Sequence, residues 1–415
     1  MVELEDLYEA YHIARSNKRR SEDSVEYEIN LEANLMRLYD DINSRSLHPS
    51  AYTFVTTKPR PREVFACEMG MRVVHHYIDM RLRPLIENRL TKRTFNNRVG
   101  FGQNVAINTL ASDIYEVSKG FTQDAWIIKM DLHGYFPNAN QDIVFRQLTN
   151  VVIEDYNEKD KEDLLYMIRS AIYSFPTLHC YRKSPHWKWT LIEQKKSLFT
   201  KPYGIGGAIG HLIWQNAMNY YLNDFDHYII DNLQLHYVRF VDDMVFVVQN
   251  KTAFLPMIET FREMLKEYGC ELHPKKFYCQ HYTKGVEFIG AVIKLDRIYP
   301  TKRIIRNATK AIKNLNRCVR PSKINGFIAS INSYLGILKT RNGYGAARKL
   351  IDYISPKWWE YVEFDRARVC IVAKEGYKYR QLIKTKYKYE SKRKRKRAQR
   401  AVRNNQSVNG LSGKD

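Results

Sequence analysis

The chain has 415 residues, enough for two or three subdomains and a sizeable core. Its 67 Lys+Arg against 45 Asp+Glu give a formal net charge of +22, which points to a polyanionic partner, nucleic acid before an acidic membrane surface. No apolar run approaches the length of a transmembrane helix, and the acidic opening Met-Val-Glu-Leu-Glu-Asp lacks the layout of a signal peptide, so a membrane is not expected as a partner and the chain is expected in the cytoplasm. Six scattered cysteines form no CxxC pair and are expected as buried free thiols. His75-His76 and the set His179, Cys180 and His186 fit no zinc-finger spacing and are expected to be structural.

Residues 1–50 are expected to be helical, with Leu31, Leu35, Leu38 and Ile42 at helical spacing. Lys58-Pro-Arg-Pro-Arg-Glu63 is an extended breaker before a short strand, Val64-Phe65-Ala66, and a helix carrying Val73, Val74, Tyr77, Met80 and Leu82. A polar, Gly-containing stretch over 91–105 precedes an amphipathic helix to about 119. Ala125–Asp131 is a strand that ends in an aspartate, and 140–175 is expected as helix. Loop 176–200 is rich in aromatic and basic residues. Tyr203–Gly210 is a flexible Gly-rich turn feeding a helix from Ile213 to Tyr228.

His236–Val248 holds two apolar, β-branched and aromatic runs around Asp242-Asp243, the pattern of strand, tight turn, strand. A helix over 254–268 and a short strand over 288–293 follow, and 301–365 is expected to be helical throughout. The stretch 374–403 carries fourteen Lys/Arg against Glu375 and Glu390, a net +12, with Tyr377, Tyr379, Tyr387 and Tyr389 interleaved. That mixture suits phosphate contact and base stacking, densest at Lys392, Arg393, Lys394, Arg395, Lys396 and Arg397. Residues 404–415 are expected to be disordered.

Adjacent aspartates on a tight turn repel, and a divalent cation is the commonest way to neutralise them. By itself an Asp-Asp turn is better read as a solvated turn, and Asp131 alone as a strand-end residue. Neighbouring strands of one antiparallel sheet could, however, bring Asp131, Asp242 and Asp243 together. Three carboxylates suit two Mg²⁺ ions, or Mn²⁺ in their place, which activate the attacking oxygen and stabilise the leaving one in phosphoryl transfer.

On these motifs the chain resembles a reverse transcriptase over roughly residues 50–345. Asp131-Leu-His-Gly-Tyr-Phe136 resembles the first palm motif, and Phe240-Val-Asp-Asp243 resembles the Tyr-x-Asp-Asp box, with Phe240 in place of tyrosine. The resemblance implies an α+β right-hand polymerase: a helical region over 1–50, fingers over 51–124 and 140–200, and a palm with an antiparallel sheet over 125–139 and 201–298. A helical thumb over 299–365 and a basic, partly disordered C-terminal tail over 366–415 complete it. It implies that Phe136 is a steric gate against the ribose 2′-hydroxyl, and that Lys58 and Arg62 hold the incoming triphosphate. Arg suits that task because its planar fork binds phosphate oxygens in pairs. Gly269–Lys276 resembles the motif in which a lysine protonates pyrophosphate, assigned to Lys275 with Lys276 close behind. Phe288-Ile289-Gly290 looks like the primer grip.

Within the family the chain looks most similar to the polymerases of bacterial diversity-generating retroelements. Arg62–Cys67, Arg72–His76, Lys196–Phe199, Ser333–Gly336 and Ile209-Gly210 followed by Gln215 carry that likeness. An apolar residue at 209 would remove a polar contact to the nascent base pair, and the group is linked to error-prone copying of adenines. The chain departs from it at Gly207-Ala208-Ile209-Gly210-His211, where the group reads Leu-Pro-Ile-Gly-Asn, and at Trp214, where serine is usual. Related defence-associated enzymes copy a dedicated noncoding RNA. The implied partners are an RNA template and primer, dNTPs and a cDNA product, with an accessory protein or noncoding RNA. Two other classes compete: an RNA-binding protein with a degenerate polymerase fold, and a nuclease using the same carboxylates.

Overall fold

The computed structural model describes residues 1–16, 21–57 and 60–378, so Lys58 and the cationic run 392–397 lie outside the described residues. The chain divides into two units, Met1–Gly285 and Val286–Asp415.

The described strands of the first unit are β1 (Ala51–Thr56), β2 (Arg62–Cys67), β3 (Thr94–Phe95), β4 (Trp126–Asp131), β5 (Tyr181–Arg182), β6 (His236–Phe240), β7 (Asp243–Val248) and β8 (Tyr278–His281). Five of them form one sheet in the order β3-β6-β7-β4-β8. All of its pairs are antiparallel except the two-residue edge of β3 on β6. A smaller sheet has the order β2-β1-β5. With helices alongside, the class is α+β as the motifs imply.

Strand β7 runs Asp-Met-Val-Phe-Val-Val and is buried from Met244 onward. Such a run, apolar on both faces, belongs at the centre of a covered sheet. Phe246 meets the rings of Phe254 and Phe261 with centroids at 5.0 and 5.6 Å, while the Gln103–Val117 helix packs on β6 and β7. The expected helix from Ile213 to Tyr228 divides into Leu212–Tyr220, Asn223–His227 and a π-helical turn, Tyr228–Asn232. That over 140–175 divides into Gln141–Asp155 and Lys161–Ile172.

Under the β6–β7 turn lies a fully buried ion pair. Arg239 Nε donates to both carboxylate oxygens of Asp226, at 2.8 and 3.0 Å. Thr94 Oγ1 and Tyr237 OH donate to the same carboxylate, which satisfies its remaining lone pairs. The guanidinium also donates to the carbonyls of Asn219 and Val241. Arg239 therefore ties the core to the turn itself.

The second unit begins with β9 (Val286–Phe288), β10 (Ala291–Lys294) and β11 (Arg297–Pro300), in the order β11-β10-β9. The single strand expected over 288–293 is instead a hairpin. Phe288 pairs with Ala291, and Ile289 (φ 45°) with Gly290 (φ 73°) forms the two-residue turn. Two positive φ values mark the hairpin turn whose twist matches the strands. Arg341 caps it by donating to the carbonyls of both turn residues at 2.8 Å.

Helices Lys302–Asn316, Ile324–Lys339 and Tyr344–Asp352 then enclose a core of Ile312, Phe327, Ile331, Leu335 and Trp358. The expectation of helix to 365 fails beyond Asp352. Strand β12 (Val362–Asp365) pairs with β13 (Cys370–Ala373), a register that the alternation Val-Glu-Phe-Asp supports. No described helix is long and apolar enough to cross a membrane.

Candidate active site

The three aspartates converge at one end of the five-stranded sheet. Asp131, the last residue of β4, lies directly opposite Asp243, the first residue of β7. Phe240 pairs with Asp243, which leaves Val241 and Asp242 as a two-residue turn. Leu132 N–H donates to the Asp242 carbonyl at 3.2 Å, closing the end of the β4–β7 ladder. Val241 has φ +61°, where turns of this length favour glycine. A β-branched residue there is strained, and the Arg239 bond to its carbonyl is one of the contacts that hold it.

The electrostatics reflect that crowding. Burial, then the Asp243 and Asp131 carboxylates, raise the Asp242 pKa to about 6. Two ammonium groups offset the other acids: Lys276 Nζ sits 2.8 Å from both oxygens of Asp131, and Lys129 Nζ 3.1 Å from Asp243 Oδ1. An all-oxygen donor set with mutual repulsion, partly buried but open to solvent, fits a hard divalent cation.

Of the two adjacent lysines it is Lys276, not Lys275, whose ammonium reaches a carboxylate. The reason is local: His273 N–H donates to the Asp131 carbonyl and Lys276 N–H to the His273 carbonyl. This tight turn aims Lys276 at the carboxylate; both lysines are exposed, but for Lys275 only the backbone N–H is engaged, with His273 Nδ1. Lys129 was also missed, although it lies two residues before Asp131 and so on the same face of the strand.

The Gly-rich turn is bonded to the segment after Asp131. Gly207 N–H donates to the Phe136 carbonyl at 2.8 Å, and Gly206 N–H to that of Ala139 at 2.7 Å. Phe136 is half-buried, its ring edge-to-face with Tyr135 at 6.0 Å. Ile209 is half-buried and its carbonyl accepts from Phe65 N–H of β2 at 2.7 Å. A Cβ on Gly210 (φ +111°) would lie 2.4 Å from the Phe65 carbonyl oxygen, so only glycine fits that approach. Gln215 is exposed on the helix that follows.

Arg62 opens β2 opposite Thr56, with its side chain exposed. Its neighbour Glu63 is buried and accepts from Ser197 Oγ at 2.5 Å and from Leu198 N–H at 2.9 Å. That contact joins Arg62–Cys67 to Lys196–Phe199, two stretches that the sequence singled out separately. Phe288 ends β9, and Ile289 and Gly290 form the hairpin turn of the second unit.

Residues 50–293 match the family model described as reverse transcriptase (RNA-dependent DNA polymerase). No curated protein matches the chain. Among solved structures it is similar to apo telomerase from Candida tropicalis truncated from its C-terminal domain. The identity is 14% over 61% of this chain and 55% of that one, with a TM-score of 0.45. Telomerase from Candida albicans in complex with a TWJ fragment of telomeric RNA gives 10% over 81% and 61%, with a TM-score of 0.44. The chain thus spans less than two thirds of the length of either structure.

Proposed function

This chain belongs to the reverse transcriptase family, whose fold is the right-hand polymerase, and from that premise we propose that it copies RNA into DNA. The observation that carries the reading is the pairing of Asp131 with Asp243 beside Asp242, three carboxylates at one sheet end within the matched region. Asp131, Asp242 and Asp243 would hold two Mg²⁺ ions, or Mn²⁺ in their place. When bound, the ions would activate the primer 3′-hydroxyl for attack on the α-phosphate of a dNTP and stabilise the pyrophosphate that leaves.

The chain's own groups supply the rest. Lys276, whose ammonium lies 2.8 Å from the Asp131 carboxylate, would give its proton to pyrophosphate, the role the motif gives to Lys275 with Lys276 close behind. Arg62, with Lys58, would bind the triphosphate. Phe136 would stand against the sugar 2′-carbon, and Ile209, Gly210 and Gln215 would border the base pair. Phe288-Ile289-Gly290 would grip the primer, and the cationic stretch 392–397 would hold RNA. In this reading 51–124 and 140–200 are fingers, 125–139 and 201–298 palm, and 299–365 thumb.

The motifs around Ile209 favour the polymerase of a diversity-generating retroelement. The departures at Gly207, His211 and Trp214 weigh against mutagenic copying and leave a defence role on a dedicated noncoding RNA as the second reading. The deciding experiment sequences the nucleic acid that copurifies with wild type and with Asp242→Ala/Asp243→Ala. Complementary DNA with scattered changes at template adenines, in wild type alone, supports the first role. A faithful or repetitive copy of one noncoding RNA supports the second. RNA without DNA in both samples would leave a binding protein and end the polymerase reading.

A further inference from the structure

Away from the carboxylates, three side chains from three elements meet in the core of the first unit. Cys67 ends β2, His75 lies in the Met69–Arg89 helix, and His211 immediately precedes the Leu212–Tyr220 helix; all three are buried. Their ligand atoms lie within 4.8 Å of one another. Cys67 Sγ is 3.8 Å from His75 Nε2, and the rings of His75 and His211 stand edge-to-face at 5.1 Å.

His211 is the telling member. It is 2% exposed, yet neither ring nitrogen has a hydrogen-bond partner. A buried imidazole without partners loses its hydration for nothing in return, a cost that a ligand would offset. The group offers one sulfur and two imidazoles, the donor types that select zinc over magnesium or calcium.

We infer that Cys67, His75 and His211 form a transition-metal site and that zinc is the ion it takes. Tetrahedral zinc with Zn–S near ~2.3 Å and Zn–N near ~2.05 Å sets its ligands roughly 3.3–3.6 Å apart, so closure needs movements of about an ångström. A cavity of about 10 Å³ adjoins the three residues and is bordered by Ser174 and His179. That is no more than about one water, which suits a fourth ligand and not a hydrated ion. Ser174 Oγ is likewise buried without a partner, and His179 Nε2 lies 2.7 Å from the Ser174 carbonyl. Arg72 donates to the Cys67 carbonyl and is offset by Asp23 at 3.3 Å. No finger-like spacing announces the site, because more than a hundred residues separate His75 from His211. The bound ion would join the end of β2 to the end of the Gly-rich turn, next to the Phe65–Ile209 backbone bond. The inference stands apart from the polymerase reading, since it shares no residue with the carboxylate site.

The test uses the full chain, dialysed with Zn²⁺ and then against metal-free buffer, with metal per chain measured by mass spectrometry. About one zinc per chain is expected in wild type and in Asp242→Asn, falling at least tenfold in Cys67→Ser and in His211→Gln. Circular dichroism reports whether each variant remains folded. Should the variants unfold, wild type loaded with Co²⁺ decides: a thiolate-to-metal charge-transfer band is expected, and its absence overturns the site. Zinc lost from wild type on dialysis, or retained unchanged by both folded variants, overturns it as well, leaving His211 to a buried water.

Discussion

The indole of Trp214 occupies the space that a side chain at residue 207 would need: a Cβ on Gly207 would fall 2.6 Å from Trp214 Cε3. Against the retroelement motif that the sequence resembles, with leucine at 207 and serine at 214, this chain has glycine and tryptophan. The two departures thus exchange bulk across one contact. Gly207→Leu alone should cost about 1–3 kcal/mol through overpacking, and Trp214→Ser alone about 3–5 kcal/mol through the void it leaves. The double variant should regain much of that loss, because contacting residues are not additive. Denaturant melts of the four proteins check this; strictly additive losses would mean that the two sites are independent.

The carboxylate cluster predicts how pH and magnesium interact. Because Asp242 is held near 6 in the folded chain against an ordinary 3.8, its contribution to metal-free stability is complete below about pH 4 and is lost as pH rises through about 6. A divalent ion opposes that loss by favouring the ionised form. The rise in Tm on adding Mg²⁺ should therefore be small at pH 5 and grow through pH 6 to 7. In Asp242→Asn that growth should flatten. A magnesium shift independent of pH in the wild type would contradict the coupling.

The two lysines separate in a kinetic test. Lys276→Gln should lower kcat by on the order of 10²-fold or more, the scale of a lost general acid, while Lys275→Gln should change it only a few-fold. Primer-extension rates at saturating dNTP measure both. The reverse order would return the acid's role to Lys275.

The Arg239–Asp226 pair is a stability prediction. Asp226→Asn or Arg239→Met leaves one buried charge uncompensated and should cost about 3–5 kcal/mol, seen as a lower denaturation midpoint. Arg239→Met also removes the bond to the Val241 carbonyl, so kcat should fall even at temperatures where the variant is folded. A folded Arg239→Met of wild-type activity would detach the pair from the turn.

Sugar discrimination tests Phe136. Phe136→Ala should admit rNTPs, read as a fall in the dNTP-to-rNTP ratio of kcat/KM by on the order of tenfold or more. An unchanged ratio would leave the ring as core packing against Tyr135.

What the sequence made legible was what short-range patterns encode. The apolar, β-branched and aromatic runs around Asp242-Asp243 announced a hairpin, and Asp131 at a strand end announced its partner, because both signals lie within a few residues. The rest depends on long-range pairing. Neither the Asp226–Arg239 pair nor the meeting of Cys67 with His211 leaves a local trace, since each joins elements that only the fold brings together. The hairpin at Ile289-Gly290 was hidden by its isoleucine, which tolerates a left-handed backbone poorly and is held there with Arg341 donating to the turn carbonyls. Which of Lys275 and Lys276 lies on Asp131 was not legible either, because a tight turn, not composition, decides which of two neighbours reaches the carboxylate.

The bond from Phe65 N–H to the Ile209 carbonyl is made by main chain alone. Its geometry survives whatever side chain stands at 209, so the backbone that borders the proposed nucleotide site is inherited separately from the chemistry it displays. In the proposed reading, a single substitution at 209 would alter the surface offered to the nascent base pair and leave the scaffold that carries it undisturbed.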